Sequence, residues 1–215
     1  MEGNGARFLF TGQEDGDLAG ASAGVDHRRR RVVDLPWTWL RQVHGAAVVV
    51  VERPGQHAGA CADAAVTAVP GAAVAVQVAD CAPVALIGDA SVGVAHAGWR
   101  GLVAGVVPAA VQAMRRLRPG PLRAVIGPCI RPPCYSFGSS DLEAVIAVAG
   151  RQLRGETLDG RPALDLVAGI RSALAAEGVE ECYDTAVCTA CSPRHWSHRR
   201  AADPQRQALV GWVGG

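Results

Sequence analysis

Lysine is absent from this chain, and all 21 basic residues among its 215 are arginines. The absence excludes mechanisms that need a lysine amine, such as a Schiff base or a P-loop phosphate clamp. Long apolar runs are also absent. Pro70, Gln77, Asp80 and Pro83 interrupt the apolar stretches well before the ~20 residues that a membrane helix needs. We therefore expect no membrane span.

The chain has no excess of charge of either sign, since its formal net charge is +1. A dedicated nucleic-acid binder would show a basic stripe. The basic run at 27–31 is flanked by acidic residues that cancel most of its field, and we expect it to be a solvated loop or the start of a helix. The expected partner is a small molecule, and neither nucleic acid nor a membrane.

Seven cysteines form an odd set, and the first residues lack the charged and apolar regions of a secretion signal. We therefore expect a cytoplasmic protein whose thiols are reduced, with every cysteine except Cys81 dispensable for catalysis. Cys188 and Cys191 precede His195 and His198, but the gap of three residues is too short for a zinc finger. A redox role for the pair would need a helix N-terminus directly after Cys188.

The length and apolar patterning predict one domain in which helices cover a mixed sheet. Buried strands are expected at 7–10, 46–52, 63–67, 73–78, 84–87, 92–95 and 123–126, with a hairpin-like connection between the fifth and sixth. Helices are expected at 101–117, at 140–153 after a capping box at 140–143, and at 163–177 before Gly178.

Three candidate metal ligands, His44, Cys81 and His96, lie beside turn formers or at the ends of apolar runs. Two imidazoles and one thiolate suit a zinc ion that keeps a fourth position open for chemistry. Their wide separation follows no local spacing rule, so packing of isolated His and Cys side chains is the alternative interpretation.

Seven motifs in a fixed order resemble the YfiH-type family, which was long labelled polyphenol oxidase or laccase domain and is now assigned to purine nucleoside phosphorylases. The resemblance covers roughly residues 40 to 200. The motifs are LRQVHG (40–45), ADAAVT (62–67), ADCAPV (79–84), HAGWRG (96–101), IGPCI (126–130) with Tyr135, CT (188–189) and SHRR (197–200).

The resemblance implies an α+β fold, a single-domain four-layer α-β-β-α sandwich with mixed sheets. The domain spans 1–215, and 1–35 form a variable N-terminal strand and loop. It also implies zinc at His44, Cys81 and His96, with copper less favoured as the cofactor. The implied reactions are phosphorolysis of adenosine, inosine, guanosine and methylthioadenosine, and deamination of adenosine.

These reactions assign roles to particular residues. Deamination needs a carboxylate that handles protons, and Asp80 beside the ligand Cys81 is the candidate; a role as the acceptor that orients a histidine ligand is its alternative. Phosphorolysis needs guanidinium groups that hold phosphate. Candidates for phosphate and substrate binding are Arg41, Gln42, Arg100 and Arg199, with Arg200 also considered and Arg100 favoured as catalytic.

The chain departs from the family pattern at two positions. Gln13 stands where an arginine is expected, and His198 stands at an aromatic position of the SxRR motif. Two other functions remain open. Cys81 and His96 could serve as nucleophile and base of a cysteine hydrolase or amidase. The resemblance implies editing of peptidoglycan precursors as the reaction of such an enzyme. A non-catalytic protein with a structural zinc is less favoured, because such sites are normally closed by four protein ligands.

Overall fold

Strands make up most of the regular structure in this computed structural model, which describes residues 5–20 and 22–214. Residues 1–4, 21 and 215 of the predicted domain lie outside the described residues. The strands are β1 (Ala6–Phe10), β2 (Trp37–Arg41), β3 (Val48–Val51), β4 (Ala60–Cys61), β5 (Ala64–Thr67), β6 (Ala73–Val78), β7 (Ala82–Gly88), β8 (Ser91–Ala97), β9 (Arg123–Ile126), β10 (Arg154–Glu156), β11 (Pro162–Leu164), β12 (Cys182–Asp184) and β13 (Gln207–Val213).

The α-helices are fewer than the strands in the part of the chain that the structure describes. They are α1 (Val25–Val32), α2 (Trp99–Ala104), α3 (Val106–Leu117), α4 (Ser139–Ala149), α5 (Leu166–Ala176) and α6 (His198–Ala201). Short 3-10 turns occupy Gln13–Asp15, Pro132–Cys134 and Arg151–Leu153. Within the described ranges no helix combines the length and apolar character that crossing a membrane requires.

Two mixed sheets form the centre of the molecule. A six-stranded sheet has the order β12-β9-β7-β8-β5-β3, and a five-stranded sheet has the order β1-β13-β6-β2-β4, while β10 and β11 pair separately. The strands predicted at 73–78 and 123–126 are confirmed at those bounds as β6 and β9. β7 and β8 form the predicted hairpin, in which Gly88 is opposite Ser91.

The sheets and helices stack in four layers. Side chains of both sheets, among them Val74, Val92 and Leu209, form a core between the sheets. A second core lies where α3 and α5 pack on the outer face of the six-stranded sheet, and another lies between the outer face of the five-stranded sheet and the segment around α1. The predicted four-layer α-β-β-α sandwich is therefore confirmed. β7 and β8 are buried along their whole length because both of their faces are covered, which explains their continuous apolar sequences.

The predicted helix at 101–117 is wrong in one respect, because the chain forms two helices there. Gly105 adopts a left-handed conformation with φ of 88°, which ends α2 and begins α3. Pro108 then falls in the first turn of α3, where proline is tolerated because its missing N–H has no partner in the helix. The break lets α2 approach the end of β8 while α3 covers the sheet.

The bounds of the two later helices also differ from the prediction. The capping box predicted at 140–143 is wrong: α4 begins at Ser139 after Gly138, no side chain caps it, and it ends at Ala149. The predicted helix at 163–177 begins later, because 162–164 pair with β10 as a strand. Asp165 caps α5 by accepting a hydrogen bond from the Ala168 backbone N–H at 2.9 Å.

The N-terminal segment contains more regular structure than the predicted strand and loop at 1–35. Residues 25–32 form α1, which includes the whole basic run at 27–31. Arg29 in that run is not solvated, since it is only 4% exposed. Its guanidinium carbon lies 4.9 Å from the ring centre of Trp39 and 5.9 Å from that of Trp37, so it helps α1 to pack on β2. The bounds of the variable segment stay a prediction.

Candidate metal centre and substrate cavity

The register of the six-stranded sheet brings two candidate ligands to one sheet edge. Cys81 directly precedes β7, and His96 lies near the end of β8, where it pairs with Pro83. His44 comes from the loop that follows β2 in the other sheet. One ligand atom of each side chain lies within 4.8 Å of the others. The structure therefore brings the three predicted ligands together from two sheets.

The geometry of the three donors suits one ion. Cys81 Sγ lies 3.7 Å from His44 Nε2, and the imidazole rings of His44 and His96 meet edge to face with centres 4.8 Å apart. Two nitrogens and one sulfur at this spacing can share a tetrahedral zinc ion and leave one position for substrate or water. The donor set thus fits the metal that the sequence predicts.

Asp63, which sequence reasoning did not assign, holds two of these ligands. Its carboxylate is fully buried and accepts hydrogen bonds from His96 Nδ1 at 2.9 Å and from the backbone N–H of His44 at 2.9 Å. It also accepts from the backbone N–H groups of Val43 and Gly45 at 3.1 and 2.8 Å. His44 has a φ of 59°, a strained conformation that these bonds maintain. Because the Nδ1–H group of His96 donates its hydrogen bond to this carboxylate, Nε2 is the ring nitrogen that can bind metal.

Asp80 does not orient a histidine, so that alternative role is wrong. Its Oδ1 accepts from the Thr189 hydroxyl at 2.6 Å, and its Oδ2 accepts from the Arg199 backbone N–H at 2.6 Å. Asp80 itself has a φ of 91° and is mostly buried. Its carboxylate therefore ties the turn before Cys81 to two distant loops, and the acid/base role predicted for it stays a prediction.

The Cys81 thiol is ionised at neutral pH, whereas His96 must release a proton before it binds a metal ion. Burial raises the pKa of the Cys81 thiol, but the facing His96 and His44 imidazoles outweigh it and lower that pKa to about 6. Burial lowers the pKa of His96, while the Cys81 sulfur and the Asp63 carboxylate raise it to about 9. Cys81 is therefore a thiolate at neutral pH, which is the form that binds a metal ion.

Gly98 packs directly against Cys81 and His44, where a side chain would collide with both candidate ligands. A Cβ at this position would lie 2.8 Å from Cys81 Sγ and 3.0 Å from His44 Cδ2. Contacts this short force a side chain to move, and overpacking of this kind typically costs about 1–3 kcal/mol. Only glycine fits beside the three donors without displacing one of them.

Replacing Gly98 with alanine is therefore expected to weaken zinc binding by about tenfold to hundredfold, because the methyl group displaces two ligands. Competition with a chromogenic chelator measures the affinity. Gly138→Ala is the matched control, since a Cβ there meets only the flexible Asp141 side chain at 3.4 Å. Unchanged zinc affinity in Gly98→Ala would show that the ligands bind metal in some other arrangement.

A cavity of about 770 Å³ opens over these ligands. Its volume falls in the range of small-molecule sites, ~300–1,000 Å³. All of the predicted site residues line it: Arg41, Gln42, His44, Asp80, Cys81, His96, Arg100 and Arg199. The sequence-based site is thus one continuous surface in the structure.

The predicted phosphate-binding arginines differ in whether their guanidinium groups already bond to other parts of the protein. Within the described residues, Arg41 and Arg100 form no ion pair with a carboxylate, so both guanidinium groups are available to an anion. Arg199 donates to the Ser136 carbonyl at 2.8 Å and stacks on Tyr135 at 5.0 Å. Arg200 lies outside the cavity lining, and its guanidinium donates to the carbonyls of Ser192 and His195. Arg200 is therefore a structural residue.

Gln42 is also committed to the fold. Its amide donates to the Gln77 carbonyl at 2.7 Å and accepts from the Gln77 backbone N–H at 2.8 Å, which fixes the loop before His44 against β6. The Gln77 side chain lines the cavity, and its buried amide nitrogen has no hydrogen-bond partner within the described residues. Gln77 is thus a polar residue of the cavity wall that sequence reasoning missed.

Three further positions complete the lining. Tyr135 faces Cys81, Asp80 and Arg199, and burial together with the acidic groups raises its pKa far above the ordinary value, so its hydroxyl stays neutral. His198 lines the cavity, as its place in the SxRR motif predicts. Gln13 is absent from the lining, whereas Arg206 contributes to it. The arginine missing at position 13 therefore removes no cation from this surface.

Comparisons with known proteins cover almost the whole chain. The family described as multi-copper polyphenol oxidoreductase laccase matches residues 12–213. A Streptomyces coelicolor protein named purine nucleoside phosphorylase SCO2081 is 43% identical over 203 residues, 92% of this chain and 80% of that protein. A Xylella fastidiosa protein also named purine nucleoside phosphorylase is 36% identical over 96% of this chain and 85% of its own length. The crystal structure of Neisseria meningitidis protein NMB0706 superposes with a TM-score of 0.86 at 28% identity, covering 98% of this chain and 95% of that one.

Proposed function

The chain belongs to the family described as multi-copper polyphenol oxidoreductase laccase, and we propose that it is a zinc-dependent purine nucleoside phosphorylase that also deaminates adenosine. One observation carries the proposal: one cavity of substrate size holds an open three-ligand donor set and two arginines, Arg41 and Arg100, that form no ion pair with a carboxylate of the described residues. The names of the similar proteins from Streptomyces coelicolor and Xylella fastidiosa support the phosphorylase activity.

Zinc fits the donor set better than copper. His44, Cys81 and His96 provide two imidazoles and one thiolate, and the sequence has 6 histidines and no His-x-His pair of the kind that multicopper centres use. At an open site of this type, zinc supplies Lewis-acid polarisation of a substrate oxygen or activation of water. The protein's own part is to hold the ligands, through Asp63 and Gly98.

Phosphorolysis requires a phosphate oxygen to attack the anomeric carbon of the nucleoside. The bond from that carbon to the base nitrogen breaks, and the proton of the hydrogen phosphate ends on that nitrogen. The products are the 1-phosphate of the nucleoside's sugar and the free purine. The guanidinium groups of Arg41 and Arg100 would orient the phosphate and neutralise its charge. The neutral hydroxyl of Tyr135 would donate a hydrogen bond to the leaving base. Adenosine, inosine, guanosine and methylthioadenosine are the proposed substrates.

Deamination of adenosine is the second proposed reaction of the same cavity. Water adds at C6 of the adenine ring and ammonia leaves, so inosine is the product. The oxygens of Asp80 accept hydrogen bonds from the Thr189 hydroxyl and the Arg199 backbone N–H, which fixes the carboxylate at the cavity. We propose that Asp80 acts as a proton acceptor in this reaction and that it also holds Arg199 in the cavity wall.

The alternative function as a cysteine hydrolase or amidase uses the same thiolate. Cys81 and His96 are close enough to form a thiolate–imidazolium pair, which is the feature that favours this alternative. The names of the relatives favour the phosphorylase. An assay of purified protein on adenosine with and without phosphate, together with metal analysis, tests the choice. Phosphate-dependent release of adenine by zinc-loaded protein supports the proposal, and phosphate-independent amide hydrolysis by metal-free protein contradicts it.

Replacing Arg100 with alanine is expected to reduce phosphorolysis by about 10- to 100-fold, because an exposed guanidinium that pairs with an anion contributes roughly 1.5–3 kcal/mol. Deamination of adenosine should decrease much less, since that reaction uses no phosphate. Steady-state rates of adenine and inosine formation from the same samples measure the difference. Arg116→Ala, an exposed change on α3, is the control. Equal loss of both reactions in folded, zinc-loaded Arg100→Ala protein would assign this arginine to purine binding instead.

A further inference from the structure

A second cluster of soft ligands lies outside the proposed active site. Cys134, Cys188 and Cys191 each place a sulfur within 4.8 Å of the other two. The sulfurs of Cys134 and Cys191 are 3.2 Å apart. The sequence shows only the C-x2-C pair, and His195 and His198 follow it too closely to complete a zinc finger. The third sulfur comes instead from a loop much earlier in the chain.

The backbone around Cys188 holds the cluster in a tight turn. The N–H groups of Cys191 and Ser192 donate to the Cys188 carbonyl at 3.2 and 2.9 Å, which places both sulfurs of the pair on one side of the turn. The backbone of Cys188 also pairs with that of Cys129 as an isolated parallel β-bridge, and the Cys134 N–H donates to the Arg131 carbonyl at 2.9 Å. The loops that carry the three sulfurs are therefore fixed relative to each other by backbone hydrogen bonds.

Ordinary packing does not explain the cluster. Cys129 is fully buried in the apolar core, and burial raises the pKa of its thiol to about 12, as is typical of a packed cysteine. Cys191 is exposed, and Cys134 and Cys188 are partly exposed. Three thiols that meet near the surface gain little from burial. Their thiolates would repel one another unless a cation lies between them.

We propose that Cys134, Cys188 and Cys191 form a second metal site, separate from His44, Cys81 and His96, that binds Zn²⁺ through three thiolate sulfurs and one ligand from solvent. Soft thiolates select zinc over magnesium or calcium, and three cysteines supply three of the four ligands in Cys3His zinc sites. Within the described residues no fourth histidine, cysteine or carboxylate joins the group, so solvent supplies the last ligand. Binding releases the protons that the thiols still carry.

The site would join two loops of the cavity wall. Cys134 precedes Tyr135, and Cys188 precedes Thr189, whose hydroxyl donates to Asp80. A metal ion between the loops would hold Tyr135 and Asp80 in their positions over the cavity. The proposed role is therefore structural, and it does not depend on which reaction the cavity performs.

Zinc and cobalt binding test the proposal directly. Reduced wild-type protein should bind about two equivalents of Zn²⁺, and Cys81→Ser and Cys191→Ser should each bind about one. Cys61→Ser is the matched control, because Cys61 is an exposed cysteine outside both clusters, and it should keep both equivalents. In the Cys81→Ser protein, bound Co²⁺ should show strong sulfur-to-metal charge-transfer absorption, and a further Cys191→Ser change should remove it.

Two results would overturn the proposal. One is Cys81→Ser protein that is folded by circular dichroism and yet binds neither Zn²⁺ nor Co²⁺. The other is a Cys134–Cys191 disulfide in the intact mass of protein purified without reductant, together with only one zinc equivalent after reduction. Cys134→Ser replaces Cys191→Ser if the latter does not fold. Because metal stoichiometry is the readout, failure here is distinguishable from failure of the proposed enzymatic activity.

Discussion

Phosphate-dependent cleavage of purine nucleosides should fall by about three orders of magnitude or more when Cys81 is replaced by alanine. Loss of the thiolate removes one of three ligands, and the charge stabilisation that a catalytic metal supplies amounts to several kcal/mol. Deamination should be lost together with phosphorolysis, because both reactions are proposed to use the same ion. Rates of adenine and inosine formation, measured beside the zinc content of each sample, check the prediction.

Loss of activity in the Cys81 variant does not show whether Cys81 is a metal ligand or a nucleophile. Removing zinc from wild-type protein with a chelator distinguishes the two roles. Wild-type protein stripped of zinc should lose both reactions and regain them when zinc is added back. A Cys81 nucleophile would instead remain active without metal, because the facing His96 and His44 imidazoles already keep its thiol ionised. Cys61→Ala, at an exposed cysteine in β4, controls for general effects of cysteine replacement.

The sequence was informative where burial on both faces leaves continuous apolar runs. β6 and β9 begin and end at the predicted residues, and β7 and β8 only extend further than expected. Helix bounds were less predictable because local signals compete. Gly105 divides a continuous apolar pattern into two helices, and the segment at 162–164 is a strand because β10 supplies hydrogen-bond partners that the sequence alone does not reveal.

In the candidate site, too, some residues were predictable from the sequence and others depend on tertiary structure. His44, Cys81 and His96 were predictable because few residue types bind zinc, and the motifs mark their positions. Asp63 and Asp80 both lie at the start of a strand, and local sequence does not indicate which carboxylate faces a histidine. The pairing of β5 with β8 decides it, because it places Asp63 beside His96, whose N–H donates to the Asp63 carbonyl at 2.8 Å. The Ala62–Asp63 segment of the family motifs was the available signal. Cys134 likewise joins Cys188 only through tertiary structure.

Replacing Asp63 with asparagine is expected to destabilise the protein by about 3–5 kcal/mol, because a buried group that satisfies several donors is replaced by one that cannot. The carboxylate accepts four hydrogen bonds, and an asparagine amide would direct its own N–H groups at the backbone N–H of Val43 and Gly45 or at His96. Zinc affinity should fall by a further 10- to 100-fold, since His96 loses the acceptor that orients its ring. Denaturant unfolding and chelator competition measure the two effects separately.

Leu86→Ala is the control that distinguishes positioning from stability. Leu86 lies in β7 at 1% exposure and touches no candidate ligand, so its truncation should cost about 2–5 kcal/mol while zinc affinity stays unchanged. If both variants lose zinc affinity equally under conditions in which each is folded, Asp63 acts only through stability. If Asp63→Asn alone loses it, the carboxylate sets the histidine tautomer. That outcome would show that the zinc affinity of the metal centre depends on a residue that is not itself a ligand.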